Sequence, residues 1–188
     1  MATARRSIGA QRNPESEKAI LKAARELLAE DGLAGFSIEA VARRAHAGKP
    51  TIYRWWPDRT RLLLAVYSEF KEQMPVFDTG SLEGDVRAFI TGLLRFWRES
   101  PAGPVFRSIL SESQTDAGAS SAFAEYHHGR AARTAEIFAK HGLASDDALL
   151  LTELAVNYGW GQLLANRLDP GDTEIARVAG MLVRGVGR

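Results

Sequence analysis

The stretch SIEAVARRAHAGKPTIYRWWPDRTRL, residues 37–62, contains two short amphipathic segments separated by a tight break. Ser37 stands before the first segment, where its hydroxyl can accept a hydrogen bond from a first-turn amide. The break at residues 46–48 is too short to be a loop of any size. We therefore predict two helices joined by a turn. The first has apolar residues at the i, i+3, i+4 and i+7 positions of one face, namely Ile38, Val41, Ala42 and Ala45.

The second segment opens with Lys49-Pro50-Thr51, and proline is tolerated there because first-turn amides have no partner within the helix. Ile52 and Trp56, four residues apart, are predicted to face inward. Two short helices with a three- to four-residue turn are typical of a helix-turn-helix, whose second helix enters a DNA major groove. An ordinary helical hairpin with a solvated basic face is the alternative. The outward side would carry Lys49, Thr51, Tyr53, Arg54 and Trp55.

Residues from about Ala19 to Tyr67 resemble the N-terminal DNA-binding domain of TetR-family transcriptional regulators. The matching pieces are AILKAARELLAEDG, FSIEAVARRA and KPTIYRWWPDRTRLL, in the order helix, glycine turn, small-residue helix and recognition helix. Two positions depart from the family pattern. His46 replaces the usual turn glycine, so a left-handed backbone costs more there, although histidine tolerates it better than most residues. Gly48 replaces the usual serine, which removes a phosphate contact and a better N-cap.

The outward side chains and the resemblance together nominate the DNA contacts. Lysine and arginine can read guanine acceptors, the threonine methyl group can contact thymine, and hydroxyls can reach phosphates. The resemblance implies a phosphate contact for Arg59, because the family has a phosphate-contacting lysine near the start of the helix that follows the recognition helix. Arg43 and Arg44 have two equal alternatives: they contact phosphates, or they lie on a solvated helix face. We expect base reading from Lys49, Thr51 and Arg54, a thymine contact from Pro50, and phosphate contacts from Ser37, Tyr53, Trp55 and Arg59.

The distribution of charge favours a nucleic-acid partner, although the net charge of the 188 residues is only +1. Residues 1–61 hold 12 lysines and arginines against 7 acids, a balance of +5. The remainder holds 12 against 16, a balance of −4. A basic first third on an acidic body fits a DNA-contacting head carried by a different module. The sequence has no apolar run of membrane-spanning length and no secretory h-region, so we expect a cytoplasmic protein. The lack of cysteine excludes disulfides and thiolate metal sites but does not identify the compartment.

The predicted fold class is all-α, with an N-terminal three-helix head and a helical bundle for ligand binding and dimerisation. Residues 1–13 are expected to be a disordered basic arm, which either touches DNA or is a solvated tail. Residues 14–60 form the DNA-binding domain, with Asn13 capping a helix that Asp31-Gly32 ends. Residues 61–188 form the bundle, entered by a helix that Asp58 caps and Met74-Pro75 ends. Further helices are predicted at about 82–99, 102–115, 118–141, 146–168 and 173–186.

The segment 146–168 is apolar on every side, which indicates a helix that is deeply buried or shared with a partner. In proteins of the resembled family, the helix at this place joins its predecessor, here 118–141, in a four-helix dimer interface. A homodimer is therefore expected. A two-fold dimer presents two recognition helices roughly 34–36 Å apart, which predicts a palindromic DNA operator.

The resemblance also implies a pocket for an unknown small-molecule effector within the body. An apolar pocket with a few polar groups is the usual site for such a ligand. An aromatic core without a pocket is the alternative for these residues. The candidates are Trp97, Phe106, Tyr126 and Trp160, with His127 or Asn157 as polar contacts.

The alternatives to an effector-released repressor are a metal-dependent enzyme and an effector-independent DNA-binding protein. A metal-dependent enzyme is suggested only by Glu125-x-x-His128, whereas di-metal bundles need two such motifs and two further glutamates. The sequence contains no P-loop and no dinucleotide fingerprint. An effector-independent dimeric DNA-binding protein is the other alternative. We predict a regulator and not an enzyme, with no cofactor and no metal.

Overall fold

The computed structural model describes residues 13–72 and 77–186, and throughout these residues the regular structure is helical. The predicted all-α fold class is confirmed. The chain divides into two compact units between Val66 and Tyr67. The helices are α1 (Pro14–Glu30), α2 (Gly32–Gly35), α3 (Ile38–Arg44), α4 (Lys49–Trp55), α5 (Arg59–Glu72), α6 (Leu82–Glu99), α7 (Ala102–Ser113), α8 (Ala117–Ala139), α9 (Ser145–Leu164) and α10 (Asp172–Gly185).

The start of the first unit follows the sequence signals. The Asn13 side chain accepts a hydrogen bond from the Glu15 amide at 3.0 Å, and Pro14 is the first residue of α1. Phe36 is buried, as expected of a residue that fills the core of the head. The buried stripe of α1 is the predicted one: Ile20, Ala23, Ala24, Leu27 and Leu28.

Besides the three helices of the predicted head, the break after α1 contains a further helical turn, α2. Gly32 has φ +63°, the left-handed conformation that glycine adopts without a Cβ clash. The chain then resumes a single turn of helix up to Gly35 rather than an open loop. The three helices of the head are longer, with 17 residues in α1 and seven each in α3 and α4, against four in α2.

In the second unit, the predicted segment 146–168 extends too far, because α9 ends at Leu164. Asn166 has φ +56° and occupies the left-handed position that usually holds glycine. The Arg167 amide donates to the Gln162 carbonyl at 2.8 Å, and the Asn166 amide donates to Leu163 at 3.2 Å. These two bonds form a Schellman motif, which ends the helix.

The second unit buries its core between α6, α7, α8 and α9, with α10 packed against α6 and α9. Gly159 of α9 faces α6, where an added Cβ would lie 3.1 Å from Leu93 Cδ2 and 3.2 Å from Trp97 Cζ3. The missing side chain therefore lets the two helices approach closely. Buried residues of α6 include Val86, Phe89, Ile90, Leu93, Leu94 and Trp97.

Two predicted features lie outside the described residues: residues 1–12 of the basic arm and the end of α5 at Met74-Pro75. Among the helices that are described, none is both long enough and apolar enough to cross a membrane.

Candidate nucleic-acid interface and ligand cavity

The turn between α3 and α4 is closed by His46 in the left-handed conformation, with φ +51°. The His46 amide donates to the Arg43 carbonyl at 3.4 Å, and the Ala47 amide donates to Ala42 at 3.0 Å. This is a Schellman motif with histidine in the position where glycine is usual. The side chain of His46 carries a conformational cost that glycine would not.

Local hydrogen bonds fix where α3 and α4 begin. Ser37 Oγ accepts a hydrogen bond from the Ala40 amide at 3.1 Å, so the predicted N-cap is confirmed. Its hydroxyl hydrogen remains able to donate to a phosphate oxygen. Gly48 occupies the N-cap of α4 and gives it no side-chain hydrogen bond. The backbone amides at this end of α4 therefore lack the cap that a serine would supply.

Helix α4 is held to the first unit by Ile52, which is fully buried, and by Trp56, which is buried just beyond the end of the helix. On α3 the buried residues are Ile38, Ala40 and Val41. Of the predicted apolar face, Ile38 and Val41 are buried, and Ala42 and Ala45 are half-buried. Ala40, which the spacing did not include, is buried as well.

The opposite side of α4 carries the predicted DNA-contacting residues. Lys49, Pro50, Tyr53 and Arg54 are exposed, whereas Thr51, Trp55 and Arg59 are half-buried. Lys49 Nζ lies 2.9 Å from Glu39 Oε1 on α3. This hydrogen bond raises the pKa of Lys49 and lowers the pKa of Glu39.

Three further arginines surround the helix-turn-helix, and their environments differ. Arg44 donates to Glu30 Oε2 of α1 at 2.7 Å, a contact that raises the pKa of Arg44. Arg43 is exposed. The guanidinium carbon of Arg59 lies 5.4 Å from the centre of the Phe36 ring, within cation–π range. Arg44 therefore links α3 to α1, whereas Arg43 presents its charge to solvent.

The second unit contains a small cavity that encloses about 30 Å³ and opens to solvent. One of the predicted contacts is misplaced, because Asn157 is exposed on α9 and does not line it. Val156 takes that inward position, four residues before Trp160 on the same helical face. Five of the six predicted ligand-binding residues do line the cavity, namely Trp97, Phe106, Tyr126, His127 and Trp160.

Stacked aromatic rings form one side of the cavity. Trp97 Nε1 donates a buried hydrogen bond of 2.9 Å to the Tyr67 hydroxyl. The Phe106 ring stacks on both, with centroids 4.7 Å from Tyr67 and 5.5 Å from Trp97. Trp160 completes this side, 4.9 Å from the His127 ring. The flat ring surfaces favour a planar ligand.

Sequence reasoning missed four polar residues that line the cavity: Tyr67, Lys71, Arg130 and Thr134. Lys71 is 6% exposed, and burial together with the charge of Arg130 lowers its pKa to about 7. A signal for Lys71 existed, because it follows Leu63 and Tyr67 at four-residue intervals on the apolar face of α5. A lysine in phase with a buried stripe is a candidate for a buried cation.

The Glu125-x-x-His128 motif lies on the exposed side of α8. Within residues 13–72 and 77–186, no group of three or more histidine, aspartate or glutamate side chains is arranged to hold a metal ion.

A stripe of exposed residues runs along α9, spaced by three or four positions. Three of its members are leucines with large exposed fractions: Leu150 at 49%, Leu154 at 42% and Leu164 at 63%. Asn157 and Gly161 continue the same line. Several exposed leucines on one helical face are typical of an interaction surface.

Comparisons with known proteins place both units in one family. The family model "Bacterial regulatory proteins, tetR family" matches residues 20–66, and "Tetracyclin repressor-like, C-terminal domain" matches residues 76–182. The HTH-type transcriptional regulator YdeS of Bacillus subtilis is 35% identical over 109 residues, which are 57% of this chain and 54% of that protein. The DNA-binding transcriptional repressor TetR of Mycobacteroides abscessus is 41% identical over 81 residues, 41% of each chain. The chain thus spans about half or less of the length of these relatives.

Solved structures extend the likeness to nearly the whole chain. The TetR family transcription regulator SCO0332 is 26% identical with a TM-score of 0.76, covering 93% of this chain and all of that one. The multidrug binding protein EbrR, solved with imidazole, is 15% identical with a TM-score of 0.61 and covers 94% and 97% of the two chains. At that identity the second likeness concerns the fold alone.

Proposed function

This chain belongs to the tetR family of bacterial regulatory proteins, and on that premise we propose that it is a sequence-specific, DNA-binding transcriptional repressor released by a small-molecule effector. The observation that carries the proposal is the presentation of α4. Buried Ile52 holds this helix to its unit, while Lys49, Tyr53 and Arg54 are exposed on the other side. This is the arrangement by which a recognition helix enters a major groove.

In this proposal α4 reads bases and the residues around it set the position of the protein on the duplex. Exposed lysine and arginine side chains suit guanine acceptors, and Pro50 and the Thr51 methyl group suit thymine. The Ser37 hydroxyl suits a phosphate because its oxygen already caps α3 and its hydrogen is available. Base readers are Lys49, Thr51 and Arg54, and phosphate contacts are Ser37, Arg43, Tyr53, Trp55 and Arg59.

Arg44 is the least suited of the proposed phosphate contacts, because its guanidinium already binds Glu30. To reach DNA it would exchange one anionic partner for another. We therefore assign it a mainly structural role between α1 and α3.

The proposed active form is a homodimer that pairs through α8 and α9 and binds a palindromic operator. Support comes from the exposed leucine stripe on α9, which a second copy would remove from water. A two-fold axis would place two copies of α4 about one DNA turn, roughly 34–36 Å, apart.

The proposed effector site is the aromatic cavity of the second unit. Residues 59–66 of α5 belong to the first unit, and Tyr67 and Lys71, later in the same helix, line the cavity. A ligand in contact with this helix can change DNA affinity only if it binds the two conformations of the protein with different affinity. The proposal includes a cytoplasmic location, where DNA is found, and no catalytic activity.

The proposal is tested by selecting DNA from a random-sequence pool at two salt concentrations and sequencing what is retained. We expect a short palindrome whose affinity falls steeply with salt, because phosphate contacts release counterions. Arg54→Ala should weaken the enrichment and relax one position of the palindrome, and Arg177→Ala, at an exposed arginine on α10, serves as the matched control. Weak, uniform retention of all sequences would contradict the proposal.

Sedimentation velocity of the protein alone and on the selected DNA tests the dimer. Leu150→Glu combined with Leu154→Glu should give monomers and should lose the palindrome but retain a half-site preference. A dimer that survives these two substitutions would exclude this face. The effector-independent alternative predicts that no cavity ligand changes operator affinity.

A further inference from the structure

The cavity contains a buried cation without an acidic partner among the described residues. Lys71 is 6% exposed, and its Nζ lies 5.8 Å from the ring centre of Phe96 and 6.0 Å from that of Phe89. Across residues 13–72 and 77–186 no carboxylate forms an ion pair with it. Burying an ammonium group against aromatic rings alone is costly, since ring faces replace only part of its hydration.

Arg130 adds a second cation to the same space. It lines the cavity from α8, and its charge contributes to the lowered pKa of Lys71. Aspartate and glutamate do not occur among the described residues that line the cavity, so neither cation is neutralised within it. Two like charges facing one enclosed space favour a bound anion.

Two further polar atoms in the cavity wall lack partners among the described residues: the Tyr126 hydroxyl and His127 Nε2. Burial raises the pKa of Tyr126 far above its usual range, so the hydroxyl stays protonated and can donate. Burial also lowers the pKa of His127, so its ring is neutral near pH 7 and one nitrogen can donate. Unsatisfied buried donors of this kind favour a ligand oxygen.

The remaining wall selects for shape. Tyr67, Phe106 and Trp97 stack face to face, and Trp160 lies across from His127. The enclosed space is only about 30 Å³, far below the roughly 300–1,000 Å³ of open small-molecule pockets, so a ligand enters it only when the lining side chains move apart. The aromatic faces then exposed suit a flat molecule of one or two rings.

We infer that the cavity binds a small, planar aromatic carboxylate, with the carboxylate between Lys71 and Arg130 and the ring against Trp97, Phe106 and Trp160. The Tyr126 hydroxyl donates to a carboxylate oxygen. The inference rests on the proposed function only in that the same cavity is the proposed effector site. Because ligand binding is measured without DNA, its result does not depend on that function.

The test measures binding of benzoate and 1-naphthoate, each against its neutral amide, by calorimetry at pH 6.5 with the full chain. At least one acid should bind about tenfold or more tightly than its amide. Lys71→Met should remove this preference while leaving the amide affinity nearly unchanged, because the methionine keeps the apolar stem. Lys140→Met, at an exposed lysine just after α8, is the control and should keep the preference.

Arg130→Gln is the second variant and should also reduce the preference for the acid, which keeps the test decisive if Lys71→Met does not fold. Equal affinity for acids and amides, or no binding of either acid at millimolar concentration, would overturn the inference. Release from the selected operator is then measured separately. Acid-selective binding without release from DNA would support the inferred ligand class and contradict the proposed effector control. Release by the amides alone would support effector control and contradict the inferred ligand class.

Discussion

Lys49 Nζ, on the recognition helix, lies 2.9 Å from Glu39 Oε1 on the preceding helix. Both side chains are more than half exposed, so the pair contributes little to folding. In the proposed DNA complex, Lys49 would have to exchange Glu39 for a base or phosphate oxygen. The Glu39 carboxylate would then compete with the nucleic acid for the same ammonium group.

Glu39→Gln should consequently strengthen DNA binding, by about three- to tenfold at low salt, since it frees Lys49 and removes a negative charge near the phosphates. Fluorescence anisotropy on the selected operator measures this change. Glu26→Gln, which neutralises a half-buried acid on α1 that pairs with Lys22, is the control. Equal strengthening by both variants would show a general charge effect and not a contact at Lys49.

Lys49→Ala and Arg59→Ala should weaken DNA binding in different ways. Loss of a base reader should relax one operator position by roughly 1–3 kcal/mol, whereas loss of a phosphate contact should weaken all sequences and flatten the salt dependence. Affinity for a set of single-base operator variants at several salt concentrations separates the two. If Lys49→Ala weakened every sequence equally, its assignment as a base reader would be wrong.

The left-handed backbone at His46 predicts opposite effects of two substitutions. His46→Gly should stabilise the protein by about 0.5–1 kcal/mol, because relief of the Cβ clash outweighs the added freedom of the unfolded chain. His46→Val should destabilise it by about 1–2 kcal/mol, since a β-branched residue is a severe outlier at positive φ. Urea unfolding measures both free energies. Equal stability of the two variants would mean that the turn relaxes to another conformation.

The contact between Asp85 and His141 predicts acid sensitivity in the second unit. His141 Nε2 lies 2.7 Å from Asp85 Oδ2, and Thr79 donates to Oδ1 through its amide and its hydroxyl. Burial raises the pKa of Asp85, but the hydrogen bonds from His141 and Thr79 outweigh this and leave it below the usual range. The stabilisation is therefore present above the unfolded pKa of 3.8 and is lost as pH falls through the lower folded value.

Asp85→Asn should reduce the free energy of unfolding by about 1–3 kcal/mol at pH 6 and should flatten its decline below pH 4. Urea unfolding between pH 3 and 7 gives both quantities. Asp78→Asn, at an exposed acid in the same segment, is the control and should keep the decline. An unchanged decline in the Asp85 variant would assign acid sensitivity to other carboxylates.

Burial of Lys71 predicts a second pH dependence of the free energy of unfolding. It arises from a buried cation whose charged form is disfavoured, whereas that of Asp85 arises from an anion whose charged form is favoured. The pKa of Lys71 is about 7 in the folded chain and 10.5 for an ordinary solvated lysine, so the unfolded chain binds more protons between these two values. Stability should therefore rise with pH across this window, and below pH 7 the full cost of burying the ammonium group applies. The ionisable groups that line the same space are Tyr67, Tyr126, His127 and Arg130.

Lys71→Met should therefore raise the free energy of unfolding at pH 7 by about 2–4 kcal/mol and should remove the rise between pH 7 and 10. Thermal and urea unfolding across this range provide the measurement, with Lys140→Met as the control. A Lys71→Met protein that is less stable than the parent at pH 7 would show that the ammonium group has a favourable partner.

The sequence by itself predicted the helices, the turn between α3 and α4, and a basic N-terminal unit followed by an acidic helical body. The predicted caps Ser37 and Asp58 accept hydrogen bonds from amides three residues ahead, and such caps can be predicted from sequence because both partners lie within one turn. The apolar periods of α1 and α6 are equally local. Misplaced boundaries arose where a residue took an unusual backbone, as at Asn166, whose left-handed φ ends α9 four residues early.

Only the tertiary structure decided what lines the cavity. Whether Val156 or Asn157 points inward depends on the rotation of α9 against its neighbours, and adjacent residues on a helix differ by about 100°. Lys71 and Arg130 lie 59 positions apart in the sequence, and nothing in the spacing shows that they face one space. Helix caps are interactions within a single turn, whereas a cavity is set by how several helices pack, so the sequence revealed the first and the fold alone revealed the second.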